Sequence, residues 1–113
     1  MQALAALSDQ TRQTIVERLA LHGQMSVARL KEPFDISAPA ISQHLKVLRE
    51  ARLVRVETRA QQRLYSLDPV GIGEIEAWIA KLHQHWSERF DALDALLAQQ
   101  VKQSKSGKKE RPK

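Results

Sequence analysis

Apolar residues recur every three or four positions over most of the chain, and change to strict alternation once, between Leu53 and Leu67. The first spacing predicts helices with one buried face; the second predicts a pair of strands. Leu4 and Leu7 fall on one side of a short first helix from Met1 to Leu7. Ser8 is the predicted N-cap of a second helix, whose stripe is Ile15 and Leu19 with Val16 beside it and whose stop is Gly23. Ser26 opens a third helix with Val27 and Leu30 inward, and Pro33 ends it. Phe34, Asp35 and Ile36 form the turn into a fourth helix starting at Ser37.

That fourth helix, from Ser37 to Ala51, has two faces with separate jobs. Ser37 accepts from the unpaired amides of the first turn, where the missing N–H of Pro39 is no loss. Ile41, Leu45 and Leu48 stand at i, i+4 and i+7 and form the core stripe. The opposite stripe holds Ala38, Pro39, Ser42, Gln43, Lys46 and Arg49. It is small at its start, amide-bearing in the middle and cationic further on, which suits a helix laid N-terminus first into the major groove of DNA. Two helices joined by a tight turn, the second with such a face, make a helix-turn-helix. Gln43 is the expected base reader, since its amide pairs bidentately with adenine. Ser42 donates to a base or phosphate, Lys46 and Arg49 hold the backbone, and Ala38 and Pro39 offer apolar contact at the end that Ser37 caps. His44 lies nearer the flank, where a phosphate contact and a packed structural role are both open.

In the alternating segment, Val54 and Val56 interleave with Arg55 and Glu57, and after the polar run Thr58 to Gln62 the pattern returns in Arg63, Tyr65 and Leu67. This is a β-hairpin with a basic tip, a wing that lays Arg59, Gln61, Gln62 and Arg63 along phosphates or into a minor groove. The competing reading is a hairpin that only covers the core, its arginines solvated. Asp68 and Pro69 close it, and a long helix follows to about Val101. Its apolar positions Ile72, Ile75, Ile79, Leu82, Trp86, Phe90, Leu93 and Leu97 step by three and four beyond what so small a domain buries. The expected partner is the same helix of a second copy, with Leu4 and Leu7 joining the interface, in a twofold homodimer; folding back on its own domain is the alternative. The expected fold is therefore mainly α with a small β-hairpin, a winged helix-turn-helix of order α-α-α-α-β-β-α that dimerises through its first and last helices.

Composition narrows the function. The 113 residues suffice for one core, so residues 1–101 are expected to form one DNA-binding and dimerisation domain and the basic stretch 102–113 a disordered tail. Residues 1–67 hold ten Lys/Arg against six Asp/Glu, residues 68–101 two against six, and residues 102–113 six against one. A basic module and a basic tail thus flank an acidic helix, as expected if one part meets a polyanion and another is held away from it. The tail adds phosphate attraction or only solubility. No run approaches the roughly 18 apolar residues of a membrane span, and no signal peptide opens the chain, so a cytoplasmic place is expected. With no cysteine there is neither disulfide nor thiolate site. An enzyme is not expected: there is no Gly-rich phosphate loop or nucleophile elbow, and Ser42 and His44, at i and i+2, diverge on a helix. A winged helix that binds protein instead would carry aromatic anchors on the outer face of the Ser37 helix, and that face has none. No cofactor is expected.

The chain resembles the ArsR/SmtB family of bacterial winged-helix repressors over residues 1 to about 101. The resemblance is carried by Ala6-Leu7-Ser8-Asp9-Gln10-Thr11-Arg12, by the run S-A-P-A-I-S-Q-H-L-K-V-L-R-E-A from Ser37 to Ala51, and by the wing from Leu53 to Leu67 ending in Tyr-Ser-Leu. Glu32 to Ser37 and the aromatic-bearing last helix, His85-Trp86 to Leu97, are similar to the branch without a recognised metal site. The resemblance implies a dimeric, promoter-binding regulator, usually a repressor, that uses helix-turn-helix and wing on double-stranded DNA with a pseudo-palindromic operator. It also implies where metal would bind: the thiolate segment corresponds to Ser26 to Glu32, without cysteine, and the zinc positions to Pro69, Gly71, Leu82 and His85, of which only the last is a ligand type. A metal-responsive regulator with a different site on the last helix is the remaining alternative, with His85, Glu88 and Asp91 along one edge; His83 and His85 point apart. No metal is expected. Two features depart from the family pattern. Arg52 stands where such helices end in glycine, so that a left-handed cap there costs about 1 kcal/mol, and the wing tip has no glycine.

Overall fold

A computed structural model of the chain describes residues 1–103. Five helices and three strands follow in the order α1 (Gln2–Ala6), α2 (Gln10–His22), β1 (Met25–Ser26), α3 (Val27–Lys31), α4 (Ala38–Glu50), β2 (Val54–Arg59), β3 (Gln62–Leu67) and α5 (Pro69–Gln103). The chain divides into two compact units, the first Met1–Ala77 and the second from Trp78 onward. The core of the first gathers Ile15 and Leu19 of α2, Leu30 of α3, Ile41, Leu45 and Leu48 of α4, and Leu53, Val54 and Tyr65 of the wing. Each of the three helices thus buries the stripe that its spacing predicts. Ala3 and Ala6 bring α1 onto this core, while Leu4 stays exposed.

The wing is a sheet of three strands rather than two. In the order β1-β3-β2, β3 is central, and Met25 pairs with Tyr65 and Ser26 with Leu64. A strand of two residues shows no alternation, so sequence period alone passes over it; Met25 is nevertheless almost fully buried. The start of α2 also differs from the expected one. The N-cap is Asp9, whose carboxylate accepts from the Arg12 backbone N–H at 3.0 Å, whereas the Ser8 hydroxyl donates backwards to the Ala5 carbonyl at 2.8 Å. The other caps lie where the sequence puts them: Ser26 accepts from the Arg29 N–H, Ser37 from the Ala40 N–H, and Gly23 ends α2 at φ +79°.

At the end of α4 the left-handed cap is adopted despite arginine, with Arg52 at φ +60°. The Leu53 N–H donates to the Leu48 carbonyl at 2.9 Å and the Arg52 N–H to the Arg49 carbonyl at 3.0 Å, which satisfies two carbonyls of the last turn. Leu48 and Leu53 both enter the core, and their burial of roughly 1.5–3 kcal/mol each outweighs the strain at Arg52. Asp68 then receives the chain: its N–H donates to the Leu53 carbonyl, and its carboxylate accepts from the Val70 N–H at 3.0 Å, starting α5 at Pro69. The helix is described through Gln103, and the rest of the basic tail lies outside the described residues. Among the described residues no helix is long and apolar enough to cross a membrane.

Candidate nucleic-acid interface

Burial of Ile41, Leu45 and Leu48 fixes the rotation of α4 and thereby turns Ala38, Pro39, Ser42, Gln43, Lys46 and Arg49 outward, all exposed. Ser37 is exposed too, its hydroxyl engaged as the cap. Among the described residues, the side chains of Ser42, Gln43, Lys46 and Arg49 make no hydrogen bond or ion pair within the chain. A face of uncommitted donors and cations above a fully buried stripe leaves its hydrogen-bonding capacity for something outside.

His44 is different. It is half-buried, and its Nδ1 lies 3.2 Å from Nη1 of Arg12 and 3.8 Å from the carboxylate of Asp9. Arg12 in turn donates through Nε to the Ala6 carbonyl at 2.6 Å, so the first turn of α2, the end of α1 and the flank of α4 meet in one cluster. The backbone N–H of Arg12, more than any other group, holds the Asp9 carboxyl below its usual range. Asp9 and Arg12 therefore fasten the end of α1 and the start of α2 to the flank of α4, a role their spacing gave no sign of. Gln13 and Arg18 work likewise, Gln13 donating to the Leu7 carbonyl and Arg18 to the Arg29 and Leu30 carbonyls at the end of α3.

On the wing, pairing decides which side chains share a face. Arg59 pairs with Gln62 and Thr58 with Arg63, so Arg59 and Gln62 stand on one face of the hairpin and Arg63 on the other, the one that carries Val56 and Tyr65. The connection is only Ala60-Gln61, with Ala60 at φ +57°, a strained conformation for a residue other than glycine. All of Arg59, Gln61, Gln62 and Arg63 are exposed. Arg59 is partly engaged: its guanidinium donates to Glu57 at 3.2 Å, and Glu57 also accepts from Gln24 at 3.1 Å. These two donors, Arg59 first, hold the Glu57 carboxyl below its usual range. Among the described residues the side chains of Gln61, Gln62 and Arg63 are uncommitted.

The predicted interface residues separate by unit. In the first, Leu7 and Ile75 are half-buried against the core and Leu4 is 39% exposed. In the second, Ile79, Leu82, Trp86, Phe90, Leu93 and Leu97 are all exposed along α5, with the Trp86 and Phe90 rings 5.3 Å apart. Among the described residues no group of three or more His, Asp or Glu side chains is gathered closely enough to hold a metal ion.

A family model described as bacterial regulatory protein, arsR family, matches residues 9–56, which run from the α2 cap to the first wing strand. An HTH-type transcriptional regulator of Mycobacterium tuberculosis, Rv2034, is 49% identical over 95 residues, covering 84% of this chain and 85% of its own. The arsenical resistance operon repressor of Escherichia coli is 32% identical over 108 residues, 95% of this chain and 89% of its own. Among solved structures, a possible transcriptional regulator for arsenical resistance superposes with a TM-score of 0.67 at 35% identity, over 84% of this chain and 95% of the other. These relatives are regulators, not enzymes. With a winged helix whose outward face is polar and cationic and with relatives of such extent, the chain belongs to the arsR family of bacterial regulatory proteins and is a DNA-binding transcriptional regulator.

Proposed function

We propose that two copies pair through α5 and bind a twofold-symmetric operator in double-stranded DNA, each laying α4 into a major groove and its wing along the adjoining backbone, and that the bound dimer represses transcription in the cytoplasm. The observation that carries this reading is the outer face of α4, whose Ser42, Gln43, Lys46 and Arg49 are exposed and uncommitted among the described residues. Gln43 reads a base edge, Ser42 donates to a base or phosphate, Lys46 and Arg49 neutralise phosphates, and Ser37, Ala38 and Pro39 let the start of the helix approach the groove floor. Arg59 with Gln62, and Arg63 from the opposite face of the hairpin, reach phosphates or the minor groove beside it, with Gln61 at the tip. Exposed leucines and aromatics at helical spacing from Ile79 to Leu97 support pairing with a second copy, since a stripe this apolar is unfavourable in water. Repression fits the repressors among the relatives.

Selection of bound duplexes from a random pool tests this. The expected product has two inverted half-sites about one helical turn apart. Replacing Lys46 by Ala should lower the slope of log affinity against log salt by about 1, and Gln43→Ala should cost about 1–3 kcal/mol at one base pair of each half-site. Leu93→Glu should turn the dimer into a monomer in sedimentation. A selected site without symmetry, or salt-independent retention on duplex, would refute the reading.

A further inference from the structure

We infer that Arg12 is a positioning residue of the DNA face: anchored on the Ala6 carbonyl, its guanidinium fixes His44 as the Nε2–H tautomer and leaves that N–H open as an uncharged donor for a DNA phosphate. The inference rests on the reading that α4 meets DNA. A guanidinium has five N–H donors and no acceptor. The 3.2 Å contact between Arg12 Nη1 and His44 Nδ1 is thus a hydrogen bond only if Nδ1 accepts, which puts the ring hydrogen on Nε2. The Asp9 carboxylate does not compete for Nδ1 at 3.8 Å, beyond hydrogen-bond range, and it already accepts from the Arg12 backbone. Arg12 is held from its other end by the 2.6 Å bond to Ala6, so it does not swing freely.

Nε2 has no partner among the described residues, and none of their buried side-chain nitrogens or oxygens lacks one; Nε2 is therefore in contact with solvent. The ring stands at the border of the buried and exposed stripes of α4, next to Gln43. A helix seated in a major groove meets the phosphate backbone at that border, and its centre meets the bases. Sequence spacing left two readings of His44 open, a packed structural residue and a phosphate contact. The geometry joins them: one ring nitrogen is packed against Arg12, and the other is unpaired and touches solvent. A donor already oriented loses little rotamer freedom when it binds.

The test uses the full chain and the selected duplex. Arg12→Met and His44→Ala are each expected to weaken binding about tenfold, the usual effect of one hydrogen bond to a charged group, and the double variant no more than either alone. His44→Gln, whose amide nitrogen falls near Nε2, should recover most of the loss; His44→Asn, whose amide lies near Nδ1, should not. The salt slope of His44→Ala should match that of the wild type, because an uncharged donor releases no counterion. Long-range nitrogen–proton NMR at pH 8 should give a single Nε2–H pattern for His44 and a tautomer mixture in Arg12→Met. A slope reduced by about one, multiplicative losses in the double variant, or equal binding by the Gln and Asn variants overturns the inference. If Lys46→Ala and Arg49→Ala lose affinity while His44 variants do not, the inference fails and the DNA face stands. If none of these α4 variants changes binding, the DNA face itself falls and takes the inference with it. Should Arg12→Met not fold, the Gln and Asn pair carries the test alone.

Discussion

Gly71→Ala and Gly73→Ala, two positions apart in the first turns of α5, are expected to change stability in opposite directions. A Cβ on Gly71 would stand 2.3 Å from the Arg52 carbonyl oxygen, 2.6 Å from its carbon and 2.9 Å from the Ala51 carbonyl oxygen, all backbone atoms. The Gly71 N–H also donates to that Arg52 carbonyl at 2.7 Å, so the backbone there is already drawn to its closest approach. The atoms opposed to the new methyl belong to the left-handed turn that ends α4 and starts the wing, and no side chain is available to move aside. Relief requires shifting the turn or the start of α5, with overpacking of about 1–3 kcal/mol and the hydrogen bond, worth about 1 kcal/mol, weakened. Better helix propensity returns at most about 1 kcal/mol. The net effect is a loss of about 1–3 kcal/mol. Around Gly73 nothing beyond its chain neighbours and the adjoining backbone of α5 lies within 4 Å of the added carbon, and alanine there should gain up to about 1 kcal/mol. Urea unfolding at one fixed protein concentration, with unchanged slope, reads both. Equal midpoints for the two variants would show that the turn does not constrain α5, and the reasoning would be wrong.

Three further outcomes follow from the same geometry. Arg52→Gly should raise stability by about 0.5–1 kcal/mol in thermal unfolding, since the φ of +60° suits glycine and the hydrogen bonds of the cap are backbone. Leu45→Ala, at a site 1% exposed, should cost about 2–5 kcal/mol in urea unfolding, with DNA affinity lost only as the fold is lost. For Asp9 the sign is that of a carboxylate whose folded pKa lies below the unfolded 3.8: its contribution is complete above about pH 4 and disappears as pH falls through the lowered value. Asp9→Ala should therefore cost about 1 kcal/mol near neutral pH, with the gap to wild type closing below pH 4 in an acid titration followed by circular dichroism.

Much of this molecule was legible because its signals are local. Ser26, Ser37 and Gly23 mark helix ends through hydrogen bonds and a φ value spanning four residues or fewer, and Ile41, Leu45 and Leu48 fix the rotation of α4 by spacing alone. The outward face of that helix, and with it the candidate DNA contacts, follows from the same spacing. What the sequence left undecided depends on chain segments far apart in number. Spacing picks Ser8 as the cap, yet its hydroxyl turns back to Ala5 and Asp9 takes the place, in a cluster where the Arg12 side chain reaches Ala6 and His44, thirty-two residues on. Met25–Ser26 becomes a strand only because β3 offers it an edge. Arg59 and Arg63 look equivalent in the sequence, yet the register of a two-residue connection sends them to opposite faces. A residue's spacing determines its own face, since helix and strand periods are backbone geometry; its partner is set by which segments the shared core brings together, and that only the tertiary structure decides.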